Sequence, residues 1–170
     1  RHTEPESIQI SEASELELRI SEAKYAGIVA IAADAIVTVD ESHRIVLFNS
    51  GAQHIFGYTP GEILGQHLDV LIPERFRPSH SRHIDEFAGG PLAARQMGER
   101  REIYGRRKGG ELFPAEASLS KIEVAGRRFF TAVLRDITER KRAEEERERL
   151  LASERAARSE AERVNRMKDE

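Results

Sequence analysis

Apolar residues recur along the chain with two different periods, which divide it into a β-rich centre flanked by helices. Near each end, apolar residues recur every three, four or seven positions, which is typical of an amphipathic helix. Between the ends, short β-branched runs and alternating apolar and polar residues predict strands. The predicted parts are an N-terminal tail and amphipathic helix at 1–33, a core at 34–136 and a C-terminal helix at 137–170.

The central part contains five predicted strands. The runs 35–39 and 45–48 are mainly β-branched or apolar, and the polar turn 40–44 between them indicates a hairpin. Apolar and polar residues alternate over 113–120, as in a half-buried antiparallel strand. The remaining strands are predicted at 99–105 and 129–135. With short helices between the second and third strands, the expected fold class is α+β, a five-stranded antiparallel sheet with helices on one face.

Capping signals place the short helices. Ser50 and Gln53 form a capping-box pattern for the first, and Gly57 is a left-handed stop signal. The segment 59–62 has a Thr cap, a proline at the first helical position and a Glu at the third, so a second helix is predicted to begin there. A third short helix is predicted over 78–90, between a proline and a pair of glycines.

Both flanking helices carry an apolar stripe. The N-terminal stripe fits packing either on its own domain or on a partner helix, and the pattern does not separate the two. The C-terminal stripe repeats every seven residues and favours a parallel dimeric coiled coil over a single solvated helix, so a homodimer is expected. The stripe residues are Leu16, Ile20, Ala23, Gly27 and Ile31 in the N-terminal helix and Ala143, Leu150, Ala157 and Val164 in the C-terminal helix.

Composition removes several classes of function. The 170 residues are 39% apolar and 34% charged, with a net charge of −3 and no separate basic patch, so nucleic acid is not an expected partner. There is no cysteine, which excludes disulfides, thiolate nucleophiles and iron–sulfur clusters. The apolar run 26–39 is interrupted by Asp34 and too short to span a bilayer, and no signal peptide is visible. The chain is expected to be a fragment, because it starts with Arg1 and not with a methionine, and a membrane anchor could lie outside it. The expected localisation is cytoplasmic.

Four segments of the core, in this order, resemble one known family. Residues 40–49 resemble its first hairpin, which often ends in Asn, and the motifs Phe-Gly-Tyr and Glu-Ile-Leu-Gly within 56–65 resemble the helical segment that follows. Residues 105–116 are similar to its basic hairpin, and Asp-Ile-Thr at 136–138 is similar to the signature that closes its last strand. Together these segments resemble a PAS domain over about 24–138.

The resemblance implies a sensory or dimerisation module with a cleft between the sheet and the inserted helices. It also implies an effector domain beyond Glu170, because 163–170 resembles the lead-in to the phosphoacceptor helix of a sensor histidine kinase. A nucleotide cyclase effector is also compatible with this segment. Gly109 departs from the family, which often has Asp there, and this difference should alter only a turn.

One face of the third short helix carries the candidate site, because spacings of three, four and seven place its members together. These residues are His80, His83, Ile84 and Phe87. In the oxygen-sensing haem branch of the PAS family, a histidine matching His80 ligates the haem iron and an arginine near Arg101 lies in the haem pocket. The resemblance therefore implies haem as one cofactor. The same histidine pattern also occurs in PAS domains without haem, where the side chains cap or pack, so the cofactor stays open.

Other cofactors can be judged from residue types. His80 and His83 are too few ligands for a closed metal site and no cysteine completes one, so no metal site is predicted. The light-sensing branch of the PAS family needs a cysteine for its flavin adduct, and the absence of cysteine excludes that photocycle. A redox flavin bound without a covalent bond stays compatible with the sequence.

The expected function is transmission of a signal, since no motif for a catalytic nucleophile or a phosphate loop is present and the chain is not expected to be an enzyme. Asp136, Ile137 and Thr138 form a predicted signal junction, where the last strand becomes the C-terminal helix and a short acidic side chain can accept free backbone N–H groups. The chain is expected to be the sensor module of a histidine kinase that relays ligand or partner state through a dimeric coiled coil. The alternatives are a ligand-free dimerisation scaffold and a haem-based gas or redox sensor.

Overall fold

Antiparallel strands form one sheet in a computed structural model that describes residues 5–91, 94–97 and 103–169. The order across the sheet is β2-β1-β6-β5, and β3 and β4 both pair with the outer edge of β5. The sheet is therefore five strands wide, with two short segments sharing one edge, and the predicted α+β fold class is confirmed. The strands are β1 (Ala35–Val39), β2 (Ile45–Phe48), β3 (Ala94–Met97), β4 (Ile103–Arg106), β5 (Leu112–Val124) and β6 (Arg127–Asp136).

Helices cover one face of the sheet and extend from its end. In the described part of the chain they are α1 (Pro5–Ile31), α2 (Ser50–Phe56), α3 (Pro60–Ile63), α4 (Arg77–Gly89) and α5 (Thr138–Lys168), with short 3-10 helices at Leu68–Leu71 and Glu74–Phe76. The first residue of β1 pairs with Leu134 near the end of β6. Because α1 precedes β1 and α5 follows β6, the two long helices leave from the same end of adjacent central strands.

The hydrophobic core lies between the inner face of the sheet and helices α2 to α4. Along β5, Phe113, Ala115 and Ala117 are buried and alternate with more exposed residues, which confirms the predicted half-buried strand. The Phe113 ring meets Phe56 edge to face, with centroids 5.4 Å apart. Aromatic pairs prefer this geometry, and it fixes the position of both rings.

The predicted cap of α2 is wrong by one residue. Asn49, not Ser50, caps the helix, because its Oδ1 accepts a hydrogen bond from the backbone N of Ala52 over 2.9 Å. The Ser50 hydroxyl is turned away and donates to the carbonyl of Ala30. The left-handed stop at Gly57 is confirmed, since its φ is 83° and its N–H bonds to the Gln53 carbonyl.

The hairpin between β5 and β6 is longer than the sequence predicts. Both predicted strands stop short of the turn, whereas the ladder continues to the pair Val124 and Arg127. Only Ala125 and Gly126 remain for the turn, with φ angles of 51° and 76°. Two central residues with positive φ match the twist of a tight hairpin, which explains why pairing extends this far.

The long helices stand out from the core. Helix α1 begins at Pro5 and, in its stripe, Leu16, Ile20 and Ile31 are 59%, 48% and 84% exposed. The stripe is therefore not packed on its own domain. Of the two alternatives that the sequence left open, packing on a partner helix remains. None of the helices formed by the described residues is both long and apolar enough to cross a membrane.

Candidate ligand cavity and signal junction

A cavity of about 230 Å³ lies between the inner face of the sheet and helix α4. Its walls come from β1, β4, β5 and β6 on one side and from α2, α4 and the 3-10 helices on the other. The lining is mainly aliphatic and aromatic, as is typical of small-molecule sites. Residues that line it include Val37, Val39, Phe56, Leu68, Leu71, Phe76, Ser79, Ile103, Tyr104, Gly105, Ala117, Leu119, Phe130, Ala132 and Leu134.

Helix α4 brings the candidate residues to this cavity. His80, His83, Ile84 and Phe87 all line it, so their predicted common face is the face that closes the cavity. Ile84 and Phe87 are buried, whereas His83 is exposed at the rim. Whether any of the four binds a ligand stays a prediction. Arg101, the fifth candidate, lies outside the described residues.

His80 is the titratable group of α4 that lines the cavity from a half-buried position, next to the smaller polar residue Ser79. Burial lowers the pKa of His80 below its ordinary value, since a charged imidazole loses solvation there. The Asp69 carboxylate acts in the opposite direction, and His83 and His43 add to the lowering. The imidazole is therefore held in its neutral form, which is the form that ligates metals or accepts a hydrogen bond.

No metal cluster accompanies this histidine among the residues that the structure describes. Within that part of the chain, no group of three or more His, Cys, Asp or Glu side chains is placed to hold a metal ion. His43 and Asp85 approach to 3.5 Å and His67 and Asp69 to 3.4 Å, but these are separate pairs. Two protein ligands are too few for a closed site.

Two aromatic residues that sequence reasoning missed bound the cavity near β4. The rings of Phe76 and Tyr104 are nearly parallel, with centroids 6.4 Å apart. Both line the cavity, and together they connect the segment before α4 to the edge of the sheet. Sequence spacing could not pair them, because they lie in segments brought together only by the fold.

The signal junction is built by the residues that the sequence singled out. Asp136 Oδ1 accepts a hydrogen bond from the backbone N of Thr138 over 2.9 Å and another from its hydroxyl. Ile137 is buried and its N–H donates to the carbonyl of Pro114 over 3.1 Å. The first turn of α5 is thus attached to both β6 and β5, and the contribution of these residues to signalling stays a prediction.

Arg107, from the basic hairpin between β4 and β5, holds the other carboxylate oxygen of Asp136. Its Nη2 donates to Oδ2 over 2.7 Å, and both side chains are about three-quarters buried. Burial on its own would raise the pKa of Asp136, but hydrogen bonds from Thr138 and Arg107 outweigh it and lower the pKa. Asp136 therefore stays ionised and paired at neutral pH.

The same arginine reaches back to the cavity wall. Its Nη1 donates to the carbonyl of Ile55 in α2, and its guanidinium lies 4.2 Å from the centroid of the Phe113 ring. Gly105 also lies against that ring, since an added Cβ there would come within 2.5 Å of a ring carbon. Because Gly105 and Phe56 line the cavity, a continuous series of contacts joins the cavity wall to Arg107 and Asp136.

A second ion pair attaches α5 to the sheet. Arg140 in the first turns of α5 bonds to the Glu116 side chain of β5. The hydrogen bond from Arg140 lowers the pKa of the Glu116 carboxyl. Both groups are about half exposed, so this pair contributes orientation more than stability.

The predicted dimer residues lie on exposed helix faces. In α5, Leu150 is 59% and Val164 is 41% exposed, and Ala143 and Ala157 are exposed as well. In α1, Ala23 is exposed along with the stripe residues described above. Apolar side chains on long exposed helices are free to meet a partner helix, but the homodimer itself stays a prediction.

Comparison with known proteins identifies relatives among bacterial sensors. The chain is 30% identical to sensor protein FixL of Bradyrhizobium diazoefficiens over 143 residues, which are 82% of this chain and 28% of FixL. It is 32% identical to the cell-division control histidine kinase PdhS of Brucella ovis over 155 residues, 91% of this chain and 14% of PdhS. The oxygen sensor protein DosP of Escherichia coli is 32% identical over 100 residues, 59% of this chain and 12% of DosP. The chain thus spans less than a third of the length of each of these relatives.

Solved structures and a family model agree on the fold. The crystal structure of the PAS domain of a protein from Colwellia psychrerythraea superposes with a TM-score of 0.61 at 21% identity, covering 69% of this chain and 97% of that one. The PAS domain from a two-component sensor histidine kinase gives a TM-score of 0.56 at 18% identity, covering 72% and 98%. The family model described as PAS domain matches residues 33–139. The chain belongs to the PAS domain family.

Proposed function

We propose that the chain is the sensor and signal-transmission module of a histidine kinase, in which the state of the cavity sets the placement of α5. The observation that carries this proposal is the position of Arg107. It contacts the Phe113 ring beside the cavity wall and also bonds to Asp136 at the start of α5. A ligand that displaced the Phe113 ring would therefore also displace the group that holds the output helix.

The cavity favours a small and largely apolar ligand. Its volume of about 230 Å³ exceeds the ~150 Å³ of an apolar protein cavity that takes up benzene. His80 and Ser79 place polar atoms on the α4 wall, so a ligand with one polar end could orient towards α4, and Tyr104 is a polar lining residue on the β4 side. Binding energy of such a ligand would come mainly from burial of its apolar surface.

Catalysis belongs, in this proposal, to an effector domain joined to α5. Two relatives support a kinase effector: PdhS is named a histidine kinase and FixL a sensor protein. The present chain would bind and relay, in the cytoplasm, without catalysing a reaction itself. A nucleotide cyclase effector would use the same junction, and an autophosphorylation assay of the protein with its effector separates the two.

The relay would pass through a dimer. The seven-residue repeat of α5 places Leu150 and Val164 on one exposed stripe, and the stripe also contains the small residues Ala143 and Ala157. A seam with alanines packs weakly, so two arrangements of the helix pair can differ by only a few kcal/mol. Small changes at Asp136 would then suffice to select one arrangement.

A haem-based sensor is the second candidate, favoured by the placement of His80. DosP is named an oxygen sensor, and His80 of this chain presents a neutral imidazole to an apolar cavity, which is the form of histidine that would ligate a haem iron. Haem would supply gas or redox chemistry at its iron when bound. His80 would hold the iron, and Ile84 and Phe87 would exclude water from the same wall.

A native mass spectrum and an absorption spectrum of the purified chain test the sensor proposal. A stoichiometric small molecule supports sensing. A Soret band after expression with haem, lost in His80→Ala and kept in His83→Ala, supports the haem candidate. A chain that takes up no haem, flavin, metabolite or apolar probe supports the ligand-free scaffold and contradicts the sensor proposal.

The transmission part of the proposal is tested in the protein that carries its effector. Asp136→Ala should change basal output or its response to signal, while the domain stays folded and dimeric. If Asp136 were only an ordinary cap, its loss would cost about 1 kcal/mol of stability and leave output unchanged. A lower melting temperature with unaltered output would therefore reduce the junction to a cap.

A further inference from the structure

We infer that α1 is a second input of this domain, coupled to α5 through the paired strands β1 and β6 by a route that does not pass through Arg107. The inference rests on the proposed function only in taking α5 as the output helix. Its basis is a set of contacts around the end of α1 that belongs neither to the cavity nor to the Arg107 path.

Asn49 attaches the end of α1 to the core. Its Nδ2 lies 2.9, 3.4 and 3.1 Å from three carbonyl oxygens at and just beyond the helix end. The last carbonyls of a helix lack partners within the helix, so a buried amide that donates to this region fixes where the helix stops. Asn49 is only 5% exposed. The three carbonyls belong to Val29, Ala32 and Asp34.

The oxygen of the same amide accepts hydrogen bonds from the core. Asn49 Oδ1 accepts from the backbone N of Ile36 over 2.8 Å and from that of Ala52 over 2.9 Å. One side chain thus joins α1, β1 and α2. A buried amide that uses both its donor and its acceptor cannot rotate without losing bonds, so movement of α1 is passed to β1.

Close backbone contact strengthens this attachment. A Cβ at Gly51 would come within 2.3 Å of the Asp34 carbonyl oxygen and 2.7 Å of the Ala32 and Ala33 oxygens. Only glycine permits the linker after α1 to lie directly on the first turn of α2. The Ser50 hydroxyl adds a bond to the Ala30 carbonyl. Helix α1 is therefore attached to the domain by its last turn, although its stripe is exposed.

Asp34 continues the route to α5. Both of its carboxylate oxygens accept from Arg135, from Nε over 3.2 Å and from Nη2 over 2.9 Å. This bidentate arrangement fixes orientation as well as distance. Arg135 directly precedes Asp136, the residue that bonds to the start of α5, and Ala35 pairs with Leu134 in the ladder between them. The end of α1 and the start of α5 are thus held in a fixed position relative to each other by this ion pair and the β1–β6 ladder.

Hydrogen exchange of the chain with Asn49→Asp tests the coupling. The aspartate keeps both acceptor bonds of Oδ1 and caps α2 equally well, but it loses the donor to the end of α1. We expect amide exchange to rise at least tenfold at 30–36 and also at 139–142, because the variant loses a buried hydrogen bond and turns an unpaired carboxylate oxygen towards the same carbonyls. Exchange in the cavity-facing part of β5 should stay unchanged. Unchanged exchange at 139–142, with α1 released, would overturn the inference.

The ion pair provides a matched test of the route. In a chain with Arg135→Ala, Asn49→Asp should still release the end of α1 but no longer affect 139–142. The double variant Asp34→Arg with Arg135→Asp, which swaps the two charges, should restore the effect of Asn49→Asp on amide exchange at 139–142. A response that persists without the pair would refute this route. Glu62→Gln, which weakens the start of α3, serves as a control that leaves both regions unchanged.

If Asn49→Asp increases amide exchange throughout the domain, a milder variant is needed. Ser50→Ala removes one bond to α1 and leaves the buried amide in place. Faster exchange at both 30–36 and 139–142 supports the inference, and faster exchange at 30–36 alone overturns it. Neither result bears on the path through Arg107, so failure here would leave the proposed relay from the cavity intact.

Discussion

Arg107 donates a hydrogen bond to Asp136 over 2.7 Å and thereby joins the basic hairpin to the start of the C-terminal helix. The two residues are far apart in sequence, and each also contacts another residue nearer to it in the chain. Arg107 also lies over the Phe113 ring, and Asp136 also bonds to Thr138. This pair is one of the contacts that join the PAS core to the start of α5.

Replacement of Arg107 by Met should destabilise the domain by about 1.5–3 kcal/mol, the range for a hydrogen bond to a charged group. The reason is that Asp136 would keep its burial but lose its cationic partner. Lys108→Met is the matched control, because the pair of Lys108 with Glu62 is about half exposed and screened by solvent, so its loss should destabilise the domain less. Urea denaturation of the three proteins measures the difference. Equal losses in both variants would contradict the role given to Arg107.

Gly105→Ala should destabilise the domain by about 1–3 kcal/mol, the usual cost of overfilling a tight site. The new methyl group would lie within 2.6 Å of two carbons of the Phe113 ring. Gly109→Ala is the control, since no atom lies within 4 Å of its added Cβ. Thermal unfolding compares them, and a shift in the Phe113 ring resonances by NMR would accompany the loss in Gly105→Ala. If the two variants have the same melting temperature, the Phe113 ring does not pack against Gly105.

Leu150→Asp should weaken the dimer more than Leu151→Asp. Leu150 lies on the seven-residue repeat and Leu151 beside it, although both are exposed in a single chain. A charge on the seam of a coiled coil is desolvated on pairing, whereas a charge beside it stays in water. Sedimentation at micromolar concentrations measures both. A wild-type chain that remains monomeric when concentrated would remove the basis of this prediction and of the dimeric relay.

Stability should fall as the pH is lowered through about 6.5, and His80 should contribute to that fall. Burial lowers the pKa of His80 in the folded chain, so below about 6.5 the unfolded chain binds more protons than the folded one. The loss stops once the pH passes below the folded-state pKa, where both states are protonated. His80→Gln should flatten this part of the curve. Denaturation between pH 8 and 5 makes the comparison, and identical curves for His80→Gln and the wild type would contradict it.

The periodic elements of this chain follow from local sequence. Alternation along β5 predicts its buried face because a strand directs successive side chains to opposite sides of the sheet. Spacings of three, four and seven bring His80, Ile84 and Phe87 to one face of α4 for the same geometric reason. Short signals also identify the stop at Gly57 and the junction at 136–138. Each of these depends on residues only a few positions apart.

The contacts that give the site its form could be decided only by the tertiary structure. Arg107 meets Asp136, Phe76 lies parallel to Tyr104 and Asn49 reaches the end of α1, each across a long stretch of sequence. Asn49 rather than Ser50 caps α2, because the approach of α1 draws the serine hydroxyl away. Local propensity specifies where an element starts and which face is apolar, but partners far apart in sequence are selected by how the elements pack. Short-range patterns were therefore enough to predict the elements, the PAS resemblance and the apolar face of α4, whereas the contacts between distant elements depend on how the chain packs.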